Sequence, residues 1–345
     1  MSANASDSPD LSVRPYRDLD EPEVLELLRG SLGEGPAGER TPEYFRWKHL
    51  ENPFGRSYMI VAELDGQVIG FRALMRWRFR VGDRTVEAVR PVDTVTHPDH
   101  RGRGVFSMLT RTALDSLRGE VHMVFNTPNS NSLPGYLKLG WTLVGEIPVW
   151  VRISRPARFI ASKLRRERSS GDTPGERPAI AAPTAGDVLA DQPAISALIE
   201  GSEVAPWGFS TPRSVDHLRW RYGQAPLLGY HAIAEERGGE VIGLALFRLR
   251  SQGSLWGLSV GDVIVRPGDV ATARRLLGAA RRATDIAYVA MSFPPGSAAA
   301  RARGATALKA PRGMALVVNP LEEELHPDPR LLSSWALSTG DVEVF

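Results

Sequence analysis

Residues Val92–Leu114 read VDTVTHPDHRGRGVFSMLTRTAL. A β-branched run gives way to Pro98, then to a turn holding Arg101-Gly102-Arg103-Gly104, then to Val105, Met108, Leu109, Ala113 and Leu117 at helical spacing. A strand, tight turn and helix in that order present backbone N–H groups and the positive end of a helix dipole to an anion. The glycines let the backbone approach it closely, and two arginines add charge-assisted hydrogen bonds. A diphosphate suits such a loop. The lysine and hydroxyl residue of a P-loop are missing, as is the Gly-x-Gly-x-x-Gly spacing of dinucleotide sites, so ATP and NAD fit less well.

The flanks define the fold class. Upstream, Val24, Leu27, Leu28 and Leu32 recur at helical spacing after an acidic start. Tyr58–Glu63 and Gln67–Arg80 read as strands joined by a Leu-Asp-Gly turn, and Val81-Gly-Asp-Arg84 leads into the strand that ends near Thr96. Downstream, a short apolar strand at 122–126 precedes a helix near 131–139. Antiparallel hairpins followed by strand-helix-strand-helix predict an α/β protein with a mixed sheet.

This pattern occurs twice. YFRWKHLENPFGRSYMIVAELDGQVIG, Tyr44–Gly70, returns without a gap as HLRWRYGQAPLLGYHAIAEERGGEVIG, His217–Gly243. Trp47, Pro53 and Gly70 align with Trp220, Pro226 and Gly243 at an offset of 173, and Asp93–Pro98 aligns with Asp262–Pro267 at 169. The expected organisation is a disordered tail over 1–10, a first domain over 11–155, a mostly flexible linker rich in Arg, Ser, Gly and Pro over 156–190, and a second domain over 191–345. The second copy has Pro267-Gly-Asp-Val in place of the arginine–glycine loop, and Asp269 there would repel a phosphate.

Arg101-Gly102-Arg103-Gly104-Val105-Phe106 resembles the Gln/Arg-x-x-Gly-x-Gly/Ala hallmark of the GNAT N-acetyltransferase superfamily, with Phe106 where the family has Gly or Ala. Tyr136-Leu-Lys-Leu-Gly140-Trp141 is similar to the family's Tyr-x-x-x-Gly-Phe element. Two tandem GNAT acyl-CoA N-acyltransferase folds are expected, the second degenerate. The resemblance implies acetyl-coenzyme A as donor, its diphosphate over Arg101, Gly102, Arg103, Gly104, Val105 and Phe106, and its arm along Val95 and Thr96 beside Asn126 and Asn131. The two asparagines have helix capping as a competing use. Tyr136 matches the family's general acid, a phenol of reference pKa about 10, above the thiol's of about 8.5.

Asp93 and Glu87 are candidate bases, Asp93 with a structural task at the strand as the alternative because Asp262 repeats it. Glu51 and Phe54 do not recur in the second copy and are candidate acceptor-pocket residues; Trp47 recurs as Trp220 and reads as core. Tandem domains with Trp-Lys-His and Asn-Pro-x-Gly also resemble the enhanced intracellular survival acetyltransferases of actinobacteria, without their sterol-carrier-like domain. That resemblance implies an amine acceptor and a terminal carboxylate, here on Phe345, reaching the active site.

The 345 residues suit two domains, and the absence of cysteine closes disulfides, thiolate metal sites and an acyl-cysteine intermediate. The seven histidines show no metal-ligand spacing, so no metal is expected. Lys+Arg 42 against Asp+Glu 40 argues against a nucleic-acid partner. No apolar run suits a membrane span and the N-terminus has no secretory pattern, so a cytoplasmic enzyme is expected, with a small-molecule or peptide amine as partner and homo-oligomerisation open. A noncatalytic coenzyme A sensor, and transfer of an aminoacyl or longer acyl group from another carrier, are the competing functions.

Overall fold

A computed structural model of the chain describes residues 11–31, 39–159, 175–202, 205 and 207–343. The tail over 1–10, much of the expected linker (160–174) and Phe345 lie outside them. Two compact units emerge: one built of the chain up to Arg78, Glu87–Asn126 and Asn319–Glu323, the other of Phe79–Val86, Thr127–Val318 and the chain from Glu324 onward.

The first unit runs β1 (Leu11–Pro15), α1 (Glu21–Ser31), α2 (Pro42–His49), β2 (Tyr58–Leu64), β3 (Gln67–Val81), β4 (Arg84–Thr96), α3 (Val105–Leu117) and β5 (Met123–Asn126). The strands stand in the order β1-β2-β3-β4-β5, with β1 antiparallel to β2, β2 antiparallel to β3, and β4 parallel to β5. The β2–β3 reversal is a two-residue turn in which Asp65 and Gly66 both take positive φ, the conformation that matches strand twist in tight hairpins. Apolar residues at helical spacing in α1 (Val24, Leu25, Leu28) pack with Phe45, Val61, Phe71 and Val95 into the core.

The second unit continues with α4 (Leu133–Lys138), β6 (Thr142–Ile147), β7 (Trp150–Ile153), α5 (Ala185–Val188), α6 (Gln192–Glu200), α7 (Val215–Leu218), β8 (Tyr230–Arg237), β9 (Glu240–Gln252), β10 (Leu255–Val265), α8 (Val270–Arg282), β11 (Tyr288–Met291), α9 (Ala298–Ala302), β12 (Leu308–Lys309), β13 (Met314–Pro320) and α10 (Thr339–Val342). Its six-stranded sheet has the order β12-β7-β11-β10-β9-β8. The helix–strand core joins Leu276, Ala280, Phe247, Val260 and Val289. Of the expected linker, residues 175–190 are structured where described: Ala181 N–H bonds Ala283 C=O at 2.7 Å, and Ala185 is buried.

The two repeats exchange their last strands. β7, which closes the first repeat, pairs antiparallel with β11 and β12; β13, which closes the second, pairs antiparallel with β6. Separating the repeats would strip each of these partly buried strands of ladder hydrogen bonds and leave backbone groups without partners.

Gly70 and Gly243, aligned in sequence, do the same work in both copies. A Cβ on Gly70 would lie 2.8 Å from Val105 Cγ1, and one on Gly243 would lie 2.7 Å from Thr272 Cγ2, so each glycine lets the helix after the Asp-bearing strand settle on the sheet. Gly70→Ala and Gly243→Ala should each lower the unfolding free energy by about 1–3 kcal/mol through overpacking, seen as a lower urea midpoint at constant m.

Candidate active site

Strand β4 runs beside β5 only briefly. The parallel ladder joins Ala88–Val89 to Met123–Val124, whereas the equivalent ladder between β10 and β11 continues for two more residue pairs, from Gly257↔Tyr288 to Val260↔Met291. Pro91 occupies in β4 the place of Val260 in β10, at the same 169 offset as the aspartates. Proline has no N–H for the ladder, so the parting of the strands begins earlier in the first copy. Val95 is buried and Thr96 half-buried at the end of β4, and Asn126 is buried at the end of β5.

Beyond β4, His97 donates its N–H to Ile69 C=O at 2.8 Å, and a short turn over Pro98–His100 leads to the loop. Gly102 (φ 78°) and Gly104 (φ 80°) are both left-handed, and Gly104 caps the N-terminus of α3 with no side chain in the way. Arg101 and Arg103 are exposed, Val105 is buried, and Phe106 is half-buried with its ring 5.1 Å from the Arg72 guanidinium. A thirteen-residue helix thus opens on a glycine loop flanked by two exposed cationic side chains, Arg101 donating from Nε to Thr96 C=O at 3.4 Å, an arrangement that fits a diphosphate. In the second copy the corresponding helix, α8, begins with Asp269, whose carboxylate accepts the Thr272 N–H at 3.0 Å. The capping carboxylate takes up the helix end that Gly104 leaves open.

Asp93 is the most heavily engaged group in the first unit. Its carboxylate accepts from Lys48 Nζ (3.0 Å) and His49 Nε2 (2.9 Å) and forms an ion pair with Arg40 (3.2 Å), all four side chains being buried or nearly so. His49 Nδ1 faces the Ser57 hydroxyl at 3.0 Å. Burial alone would raise the Asp93 pKa; the Lys48 charge, the His49 hydrogen bond and the Arg40 charge outweigh it and hold the carboxyl well below the usual carboxylate range. Burial pushes Lys48 down to about 8 against the pull of Asp93, and pushes His49 down as well. A carboxylate stabilised this strongly is a weak proton acceptor. The second copy repeats the device with other chemistry: Tyr222, aligned with His49, donates its hydroxyl to Asp262, which also pairs with Arg213 at 2.8 Å. The sequence reading missed this clamp, although Lys48-His49 opposite Arg221-Tyr222 inside the repeat was its signal.

The remaining expected residues are dispersed. Glu87 is half-buried and paired with Arg78 at 2.7 Å. Phe54 packs on Trp77 (centroids 5.5 Å apart) and on the Arg78 guanidinium (5.8 Å). Glu51 is exposed in the turn after α2, and Trp47 is core, 1 % exposed. In the second unit, Tyr136 is buried in α4 against Trp141, centroids 4.7 Å apart. Asn131 is exposed, and it is Asn129 whose side-chain oxygen caps this turn, accepting the N–H groups of Asn131 and Ser132 at 3.0 Å each. No group of three potential metal ligands occurs among the described residues, and no helix there is long and apolar enough to cross a membrane.

Comparison with known proteins agrees with this geometry. Residues 12–144 match the model of an acetyltransferase (GNAT) domain. That stretch, well under half of the chain, is similar to a GNAT acetyltransferase domain. Three solved structures share the fold over most of the chain. A probable N-acyltransferase from Enterococcus faecalis V583 is 12% identical with a TM-score of 0.64, covering 91% of this chain and 73% of its own. A GCN5-related N-acetyltransferase from Kribbella flavida is 20% identical with a TM-score of 0.57, covering 92% and 72%. Eis1 from Mycobacterium abscessus is 16% identical with a TM-score of 0.54, covering 90% and 74%. No curated protein sequence matches the chain significantly. The GNAT match spans the arginine–glycine loop, and the structural likenesses extend the shared fold across both repeats.

The clamp makes a pH-dependent prediction. The folded Asp93 carboxyl titrates below its unfolded value of 3.8, so the unfolded chain binds protons first as pH falls, and the stability it contributes is present above about pH 4 and lost below. Asp93→Asn should cost about 3–5 kcal/mol at pH 7, by leaving Lys48 and Arg40 buried without a counter-charge, and should flatten the fall in stability below pH 4. Adding Lys48→Met should recover part of that loss. Chemical denaturation from pH 3 to 7 measures all three.

Proposed function

We propose that the first repeat transfers an acetyl group from acetyl-coenzyme A directly to an amine of a small molecule or peptide, in a ternary complex. The observation that carries this reading is the pair of left-handed glycines at the N-terminus of α3, flanked by exposed Arg101 and Arg103, inside the stretch that matches a GNAT domain. Acetyl-coenzyme A supplies an activated thioester. The loop's N–H groups and two arginines hold its diphosphate, and the early parting of β4 from β5 leaves strand-edge groups near Val95 and Thr96 to bind its arm as an added strand would. An N–H on that edge can stabilise the oxyanion of the tetrahedral intermediate.

Within this proposal Tyr136 gives its phenolic proton to the departing thiolate. Asp93 acts by position: fixed by Lys48, His49 and Arg40, it holds β4 against α2 where the strand leaves its partner. Glu87 is the better candidate for receiving the amine proton, its pairing with Arg78 being half-exposed and exchangeable with water. Glu51 and Phe54 are proposed to face the acceptor. The chain has no cysteine, so amine and donor meet without an acyl-cysteine stage. The second repeat, with Asp269 capping α8, is proposed as non-catalytic.

Free-thiol release from acetyl-coenzyme A across a panel of amines tests the reading. Arg101→Ala should raise the donor KM about tenfold, as expected for loss of a charged contact worth about 1.5–3 kcal/mol, with less change in kcat. Tyr136→Phe should lower kcat by about 10²-fold or more with little effect on donor KM. Tight donor binding without thiol release from any amine would favour a sensor instead.

A further inference from the structure

In the second unit, the place where β10 and β11 part is filled by the chain itself. Thr339 N–H donates to Ser292 C=O at 2.9 Å, and Ser292 N–H donates to the Thr339 hydroxyl at 2.8 Å, so the segment joins the strand end just past β11. Arg221 Nε donates to Gly340 C=O at 3.1 Å. Asp341, 1 % exposed, pairs with Arg213 at 3.0 Å and accepts the Ser338 N–H at 2.7 Å. Glu343 pairs with Arg248 at 2.7 Å and with Arg250 at 3.4 Å, and Ser259 and Tyr230 donate to it at 3.4 Å. Ser338, Thr339, Asp341, Val342 and Glu343 are all buried.

The seat is shaped as well as charged. A Cβ on Gly340 would stand on the Tyr222 hydroxyl and 2.7 Å from Asp262 Oδ2, so only glycine passes between the two partners of the second clamp. Arg221 is fully buried and Arg213 and Arg248 are partly buried, at 17% and 13% side-chain exposure, with Asp262 as the anion supplied by the sheet; Asp341 and Glu343 bring the balancing charges. Burying arginines without counter-ions costs several kcal/mol each. The cleft is therefore complete only with an acidic peptide in it.

We infer that the cleft between β10 and β11 is a binding site for an acidic peptide of the pattern Gly-Asp-x-Glu, and that its resident ligand is this chain's own segment Ser338–Glu343. Recognition combines strand-end hydrogen bonds at Thr339, a steric demand for glycine at 340, and paired carboxylates at 341 and 343. The inference stands apart from acetyl transfer: it concerns the repeat to which no chemistry is assigned.

Hydrogen exchange on the full-length chain tests it. The amides of Thr339, Asp341 and Glu343 should be protected, and Gly340→Ala should accelerate their exchange by about a hundredfold or more while the amides of β9 and β10 stay protected. The Gly340→Ala chain, its cleft vacated, should then bind an added blocked peptide of sequence STGDVE saturably and ignore STADVE. Asp341→Asn with Glu343→Gln, which keeps the segment's shape and removes its charges, should accelerate the same amides at least tenfold, giving a second route if Gly340→Ala does not fold. Unchanged protection in either variant, or a vacated cleft indifferent to STGDVE, overturns the proposal.

Discussion

A buried carboxylate at the point where two parallel strands separate is the constraint on which both repeats are built. Parting strands leave polar backbone at the heart of a domain, and the strand that departs must be held from its other side. In the first repeat Asp93 is held by Lys48 and His49 from α2 and by Arg40. In the second, Asp262 is held by Tyr222 and Arg213. The partners differ in type and the geometry is kept, which identifies the clamp as architecture. The same charges that fix the aspartate also deprive it of basicity.

From that shared frame the copies diverge through small local differences. Pro91 ends the β4–β5 ladder early, where Val260 lets β10 and β11 pair for two more residues. Gly104 leaves the first turn of α3 open to an anion, where Asp269 caps α8 internally. The first repeat keeps an open strand edge leading to an open helix end. The second closes the helix end with a carboxylate and fills the strand edge with Gly340 and its neighbours. A duplication has thus yielded one cleft suited to an external anionic ligand and one that carries an internal acidic one.

Strand exchange ties the arrangement together. Because β7 completes the sheet of β11 and β12, and β13 pairs with β6, each repeat lends its final strand to the other's hydrogen-bonding scheme. The repeat that carries the arginine–glycine loop thus depends on the other for its hydrogen bonding, which gives a physical reason for a copy without the loop to persist.

The strand-turn-helix order, the repeat, the glycine loop and the mixed sheet were legible in the sequence, because each rests on local rules: periodicity, turn residues with positive φ, and helix starts. Even the aligned Gly70 and Gly243 were visible, though not their reason, which is the approach of a helix more than thirty residues away in one case and nearly thirty in the other. The clamp partners of Asp93 lie 44 and 45 residues before it, and the seat of Glu343 is made by residues 84 to 113 positions earlier. Pairing across such separations is set by how sheets and helices close on one another, and no spacing rule carries it. Local chemistry therefore determined which segment could hold an anion, and tertiary closure alone decided which strand completes which repeat, which carboxylates are anchors, and that one cleft is already filled, because buried charge must find its counter-charge wherever the fold brings it.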